Sequence, residues 1–216
     1  MPAGYEYIGA WNKKYRVRED VFDNIDCPEK AYWLGFIAAD GGVEDCGYYR
    51  LFISLGKKDR SHLERFRSFM ESDVPIRPVE NSYVIRISRK HVVKALGKYG
   101  IVPNKTRTLT ISGIPNEYYS DFIRGYFDGD GCLSKYGKGD RRIGITSGSP
   151  NIVLWIQSEL MKNCGLRRTK IQTRDRDSGF GYDMVYSGNL QVERIMNFLN
   201  QHDGPRLDRK HLDGGV

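Results

Sequence analysis

Trp33-Leu34-Gly35-Phe36-Ile37-Ala38-Ala39-Asp40-Gly41 returns about 90 residues later as Ile123-Arg124-Gly125-Tyr126-Phe127-Asp128-Gly129-Asp130-Gly131. Glycine repeats on glycine, a small residue on a small residue, and Asp-Gly on Asp-Gly. Each copy reads as a helix with small residues four apart, Gly35 with Ala39 and Gly125 with Gly129, so each pair shares a face. Small side chains on facing helices let their backbones approach closely. The spacing predicts that each helix stops at Gly41 or Gly131, read as C-terminal glycines with positive φ. Asp40 and Asp130 then stand side by side at adjacent helix ends. Two carboxylates held together repel, and helix C-termini are partly negative, so the pair favours a bound cation.

Around this pair lie 216 residues, enough for one large domain or two half-size units with a real core. Lys and Arg number 34 against 27 Asp and Glu, a formal charge of +7 with a pI near 9.2, which suits a polyanion partner. No long apolar run is present and the N-terminus is polar, so neither a membrane partner nor secretion is expected. Cys27, Cys46, Cys132 and Cys164 are scattered without Cys-x-x-Cys spacing, which argues against a zinc site and for a reducing compartment, cytoplasmic or organellar.

The remaining pattern repeats with the motif. Residues 1–27 form an aromatic and charged extension that either covers the core or touches the partner. Pro28 suits the first turn of the first motif helix, after Asp26 or Cys27 as cap. Leu51, Ile53 and Leu55 alternate with Arg50, Phe52 and Ser54 as in a half-buried strand. Asp59 is read as the cap of a helix carrying Leu63, Phe66, Phe69 and Met70; strands near 76–79 and 83–88 and a helix over 91–99 follow. After a connector at 104–115, a helix capped by Asn116 leads to the second motif. Strands near 132–135 and 142–146, a helix with Ile152, Val153, Trp155, Ile156 and Leu160, strands near 170–174 and 182–186, and a helix over 190–199 complete the chain. Leu51-Phe52-Ile53-Ser54 lines up with Ile143-Gly144-Ile145-Thr146, so the chain reads as an internal duplication with halves at 28–103 and 116–216.

These paired stretches resemble the double signature of the LAGLIDADG homing endonuclease family in its single-chain form, and the likeness runs from about Pro28 to Lys210. Ala38 departs from the name-giving pattern at the sixth position, which is not the family's metal-binding one. The resemblance implies an α+β fold of two pseudo-symmetric αββαββα halves, packed through the motif helices, each with an antiparallel DNA-binding sheet. It implies magnesium-dependent hydrolysis of both strands of duplex DNA by a monomer, with two or more ions that manganese or calcium could replace in binding. Asp40 and Asp130 would hold the metals, helped by the carbonyls of Ala39 and Gly129; Lys105 and, in the second half, Lys210 would be the basic residues near the phosphate. A calcium loop starting at Asp128 fails, since Leu133 stands where such a loop needs glycine and Gly139 where it needs an acid.

Outward strand residues are the expected DNA contacts: Arg50, Ser54, Arg77, Arg86 and Ser88 in the first half, and Arg142, Thr146, Lys170, Gln172, Arg174 and Arg176 in the second. Arg can pair with guanine edges, Gln with adenine, and Ser or Thr with either. Histidines 62, 91, 202 and 211 form no ligand motif and are read as surface residues. No intein frame is apparent, which points to a free-standing or intron-encoded product. Two rival readings share the fold: an intron-RNA maturase, and a non-catalytic regulator. The two intact motif acids and the absence of a helix-turn-helix pattern after Leu199 disfavour the regulator.

Overall fold

A computed structural model describes residues 14–45, 47–136, 139–176 and 179–211. The first half runs α1 (Pro28–Asp40), β1 (Gly41–Glu44), β2 (Arg50–Gly56), α2 (Arg60–Phe69), β3 (Arg77–Val79), β4 (Ser82–Ile87) and α3 (Lys90–Lys98). The second repeats it as α4 (Tyr119–Asp130), β5 (Gly131–Tyr136), β6 (Asp140–Ser147), α5 (Pro150–Cys164), β7 (Gln172–Arg176), β8 (Gly179–Ser187) and α6 (Asn189–Leu199). Each half therefore has the order αββαββα. Its four strands form one antiparallel sheet, β1-β2-β4-β3 in the first half and β5-β6-β8-β7 in the second.

The halves meet along α1 and α4, and glycine makes the meeting possible. A Cβ added to Gly35 would lie 2.0 Å from the Phe122 carbonyl oxygen, and one on Gly125 1.9 Å from that of Tyr32. The two helices thus touch backbone to backbone, with no room for side chains at the crossing. Ala31 through Ala38 of α1 are all buried, as expected for a helix covered by a partner helix on one side and its own sheet on the other. One apolar cluster runs through both halves, joining Ile53, Ile85 and Leu96 of the first to Ile145, Ile156 and Ile195 of the second.

Several local expectations need correction. Gly41 and Gly131 have extended backbones (φ −85° and −92°), not positive φ, because the chain passes straight from helix into strand. Space explains them instead: an added Cβ would come within 2.7 Å of the Ile37 carbonyl oxygen at Gly41 and within 2.5 Å of that of Phe127 at Gly131. Asn116 does not cap the second motif helix; it opens a turn of 3-10 helix, Asn116–Tyr118, and α4 begins after it. Asp59 caps nothing with its side chain and instead holds Arg209. β1 went unplaced in the sequence because Gly-Gly-Val-Glu is too short and too rich in glycine to show alternation.

Residues 14–27 lie on the first half. Val21, Phe22 and Ile25 are buried, the Phe22 and Phe69 rings are 5.7 Å apart, and the Arg16 and Arg18 amides donate to Asp73 Oδ1 and the Met70 carbonyl at 2.6 and 2.9 Å. Residues 1–13 of the extension are outside the described residues. Among the described residues no helix is long and apolar enough to cross a membrane.

Candidate active site

Asp40 and Asp130 are the last residues of α1 and α4, delivered to one point by the glycine crossing below them. A Cβ built on Gly129 would lie 2.4 Å from Ala39 Cβ and 3.4 Å from Asp40 Cγ, so the two helix ends are in contact. Both side chains are open to solvent, yet the protein packed around them partly desolvates them and pushes both carboxyls up from the usual range; the negative charge of Asp40 adds to the effect on Asp130, which reaches about 6.

Two buried lysines flank the pair. Lys105, in the turn that follows α3, donates from Nζ to the Gly41 carbonyl at 2.6 Å. Lys210, in a turn beyond α6, donates to the carbonyls of Gly129 at 2.8 Å and Phe127 at 3.2 Å. Burial pulls the Lys105 ammonium down to about 8 against the opposing pull of Asp130 and Asp40, and it lowers Lys210 as well. The Gly129 carbonyl keeps one lone pair beside its bond to Lys210, because a carbonyl oxygen has two.

A hard cation fits this donor set. Two carboxylates, each disfavoured as an ion by partial desolvation, gain a counter-charge when a cation joins them, and every available donor is oxygen. Among the described residues no group of three or more His, Cys, Asp or Glu side chains gathers as a closed metal cage. Magnesium suits such an open site, since it is commonly held by one or two carboxylates with waters and substrate phosphates completing its shell.

Behind the carboxylates lies a buried polar network that the sequence reading missed. Asp128 accepts three hydrogen bonds at 2.7 Å, from Tyr32 Oη–H, the Leu207 amide and His211 Nε2–H. The Tyr32 oxygen in turn accepts from His62 Nε2–H at 2.9 Å, because its own proton is directed at Asp128. Histidines 62 and 211 are therefore interior residues, contrary to the surface reading; burial drops His62 to about 4, which keeps it neutral. A signal existed in the sequence. Asp121, Arg124 and Asp128 recur on one face of α4 where the matching residues of α1 are Ala31, Leu34 and Ala38.

Strand register gathers most of the expected contact residues on the outer sheet faces. In the first sheet Phe52 opposes Arg86, and Ser54 opposes Val84, which also opposes Arg77; Arg50 lies on the same face. Leu51, Ile53 and Leu55 fill the inner face. Arg77 and Arg86 are exposed, Ser88 sits just past β4, Arg50 pairs with Glu44 at 3.2 Å, and Ser54 donates to Ser82 at 3.2 Å. In the second sheet Arg142 opposes Ser187, and Thr146 opposes Asp183, which also opposes Gln172. The buried Asp183 accepts from Thr146 Oγ1 at 2.6 Å and pairs with Arg174, so both are already oriented. Lys170 is exposed but precedes β7. Arg176 belongs to β7, and its side chain is outside the described residues.

A family profile described as a LAGLIDADG-like domain matches residues 117–198. No curated protein matches the sequence. Among solved structures, mesophilic variants of the homing endonuclease I-DmoI superpose with a TM-score of 0.60 at 17% identity, covering 89% of this chain and 96% of that one. The homing endonuclease I-WcaI, bound to its DNA recognition sequence, gives 0.60 at 13% identity over 98% and 95%. The LAGLIDADG meganuclease I-AabMI, bound to uncleaved DNA, gives 0.57 at 16% identity over 86% of each chain.

Proposed function

From a chain with the LAGLIDADG homing endonuclease fold and a LAGLIDADG-like domain in its second half, we propose a site-specific DNA endonuclease. It makes a metal-dependent double-strand break at a long, asymmetric target. The observation that carries this reading is the pair Asp40 and Asp130, open to solvent at the touching ends of the motif helices, with one buried lysine on either side. Of the two nucleic acids considered, DNA is the one bound in these similar structures, and duplex DNA is the one we propose.

Asp40 and Asp130 would hold magnesium, which when bound supplies Lewis-acid stabilisation of phosphate charge and a more acidic water. Lys105 and Lys210, fixed by backbone carbonyls, add positive charge beside the scissile phosphates without having to reorganise. The two sheets would lie in the major groove on either side of the cut. Their arginines and polar residues read bases, while differences between the halves make the target asymmetric.

Cleavage at fixed magnesium is expected to rise as pH passes about 6, where Asp130 loses its proton, and to fall as pH passes about 8, where Lys105 loses its charge. Proton and metal compete for Asp130, so more magnesium should move the acid limb to lower pH and leave the alkaline limb in place. Arginine stays charged throughout this range, so Lys105→Arg should remove the alkaline limb in whatever activity it retains. Single-turnover rates across pH at two magnesium concentrations test the reading; an acid limb indifferent to magnesium would contradict it.

A further inference from the structure

The two lysines are seated by different physics. Lys105 lies in a connector anchored by apolar burial, with Ile101, Leu109 and Ile114 in the interior around it. Lys210 lies in the stretch that follows α6, where the only regular structure among the described residues is one 3-10 turn, Asp208–Lys210. That stretch follows the polar face of α4. Arg124 donates to the carbonyls of Leu199 and His202 at 2.9 and 2.7 Å, and Asp121 holds His202 at 2.8 Å. One turn further along, Asp128 holds the Leu207 amide and His211. The bonds to Asp128 bracket Lys210, and its ammonium then falls on the carbonyls of Phe127 and Gly129.

We propose that Asp128 and His211 are positioning residues for Lys210, and so control cutting of one DNA strand independently of the other. The proposal rests on the nuclease reading above. Asp128 can serve because Tyr32 and His62 fix its carboxylate from the first half, while Leu207 and His211 approach from the trailing segment. The same position in α1 is Ala38, so nothing equivalent acts on Lys105.

The test compares strand-resolved cleavage in His211→Ala, His211→Gln and Lys210→Met. His211→Ala removes one donor and leaves Asp128 two others, so the fold should survive. A displacement of about 1 Å at a positioned group can cost on the order of 100-fold in rate. His211→Ala should therefore slow the strand that Lys210→Met also slows, by roughly 10- to 100-fold, and accumulate nicked DNA with affinity unchanged. His211→Gln, which can still donate to Asp128, should restore much of that rate. Parent-like cutting of both strands by His211→Ala, or equal slowing of both, would overturn the proposal. Hydrogen exchange of residues 205–211 gives a reading that needs no cleavage. Faster exchange there in His211→Ala, with α4 unchanged, supports the seat even if the parent cuts no DNA; unchanged exchange overturns it.

Discussion

Gly125→Ala is expected to unfold the protein or leave it insoluble, although it adds a single methyl group. The new Cβ would stand 1.9 Å from the Tyr32 carbonyl oxygen and 2.9 Å from the Phe36 amide nitrogen. These neighbours are backbone atoms of α1, so no rotamer change relieves the clash and the helices must separate. Overpacking commonly costs about 1–3 kcal/mol, and a contact that forces two helices apart across a shared core should exceed that range. Total stability of a domain is only about 5–15 kcal/mol. Gly35→Ala should behave alike, since its Cβ would meet the Phe122 carbonyl oxygen at 2.0 Å. The control is Gly97→Ala in α3, where an added Cβ meets nothing within 4 Å. There alanine should stabilise by roughly 0.5–1 kcal/mol through helix propensity. Thermal unfolding of the three variants distinguishes close approach from a general intolerance of alanine.

Asp130→Asn is expected to abolish cleavage and, in the absence of magnesium, to stabilise the protein. Loss of a ligand that holds the cation should remove several kcal/mol of transition-state stabilisation, about a 10³-fold rate loss or more. The stability effect follows from the raised carboxyl. The native protein keeps the Asp130 proton up to about 6, whereas the unfolded chain releases it near 3.8, the ordinary aspartate value. Between those values the native state binds more protons, so this group's contribution falls as pH rises and remains unfavourable above about 6. His62 acts in the opposite sense. It protonates near 6.5 when unfolded and at about 4 when buried, so its contribution is lost as pH falls through that window. The two effects offset in the parent, and the melting temperature of Asp130→Asn relative to parent should climb as pH rises from about 4 to about 6. Magnesium should raise the melting temperature of the parent more than that of the variant.

Much of this architecture was legible in the chain because its signals are local and duplicated. The motif glycines, the alternation at Leu51, Ile53 and Leu55, and its echo at Ile143 and Ile145 specify two like halves and the inner face of each sheet. The motif also carried the crossing of α1 and α4, since small residues four apart have few other uses on a buried helix. The reason for Gly41 and Gly131 was not legible. Close contact with the preceding helical turn and positive φ both select glycine, and only the backbone separates them. The interior histidines were hidden for a related reason. His62 and His211 acquire their partners from α1 and α4, far off in sequence, so nothing beside them announces burial. The polar face of α4 was the available clue, visible only by comparison with α1.

The most direct test of the central claim uses the locus that encodes the protein, with the coding segment excised so that an uninterrupted target is restored. Parent and an Asp40→Asn/Asp130→Asn double variant are incubated with that DNA and magnesium, and the ends are mapped. The expected result is one discrete double-strand break by the parent, none by the double variant, and binding of the same DNA by both. Equal cutting by parent and double variant would place the chemistry away from the motif helix ends and contradict the account.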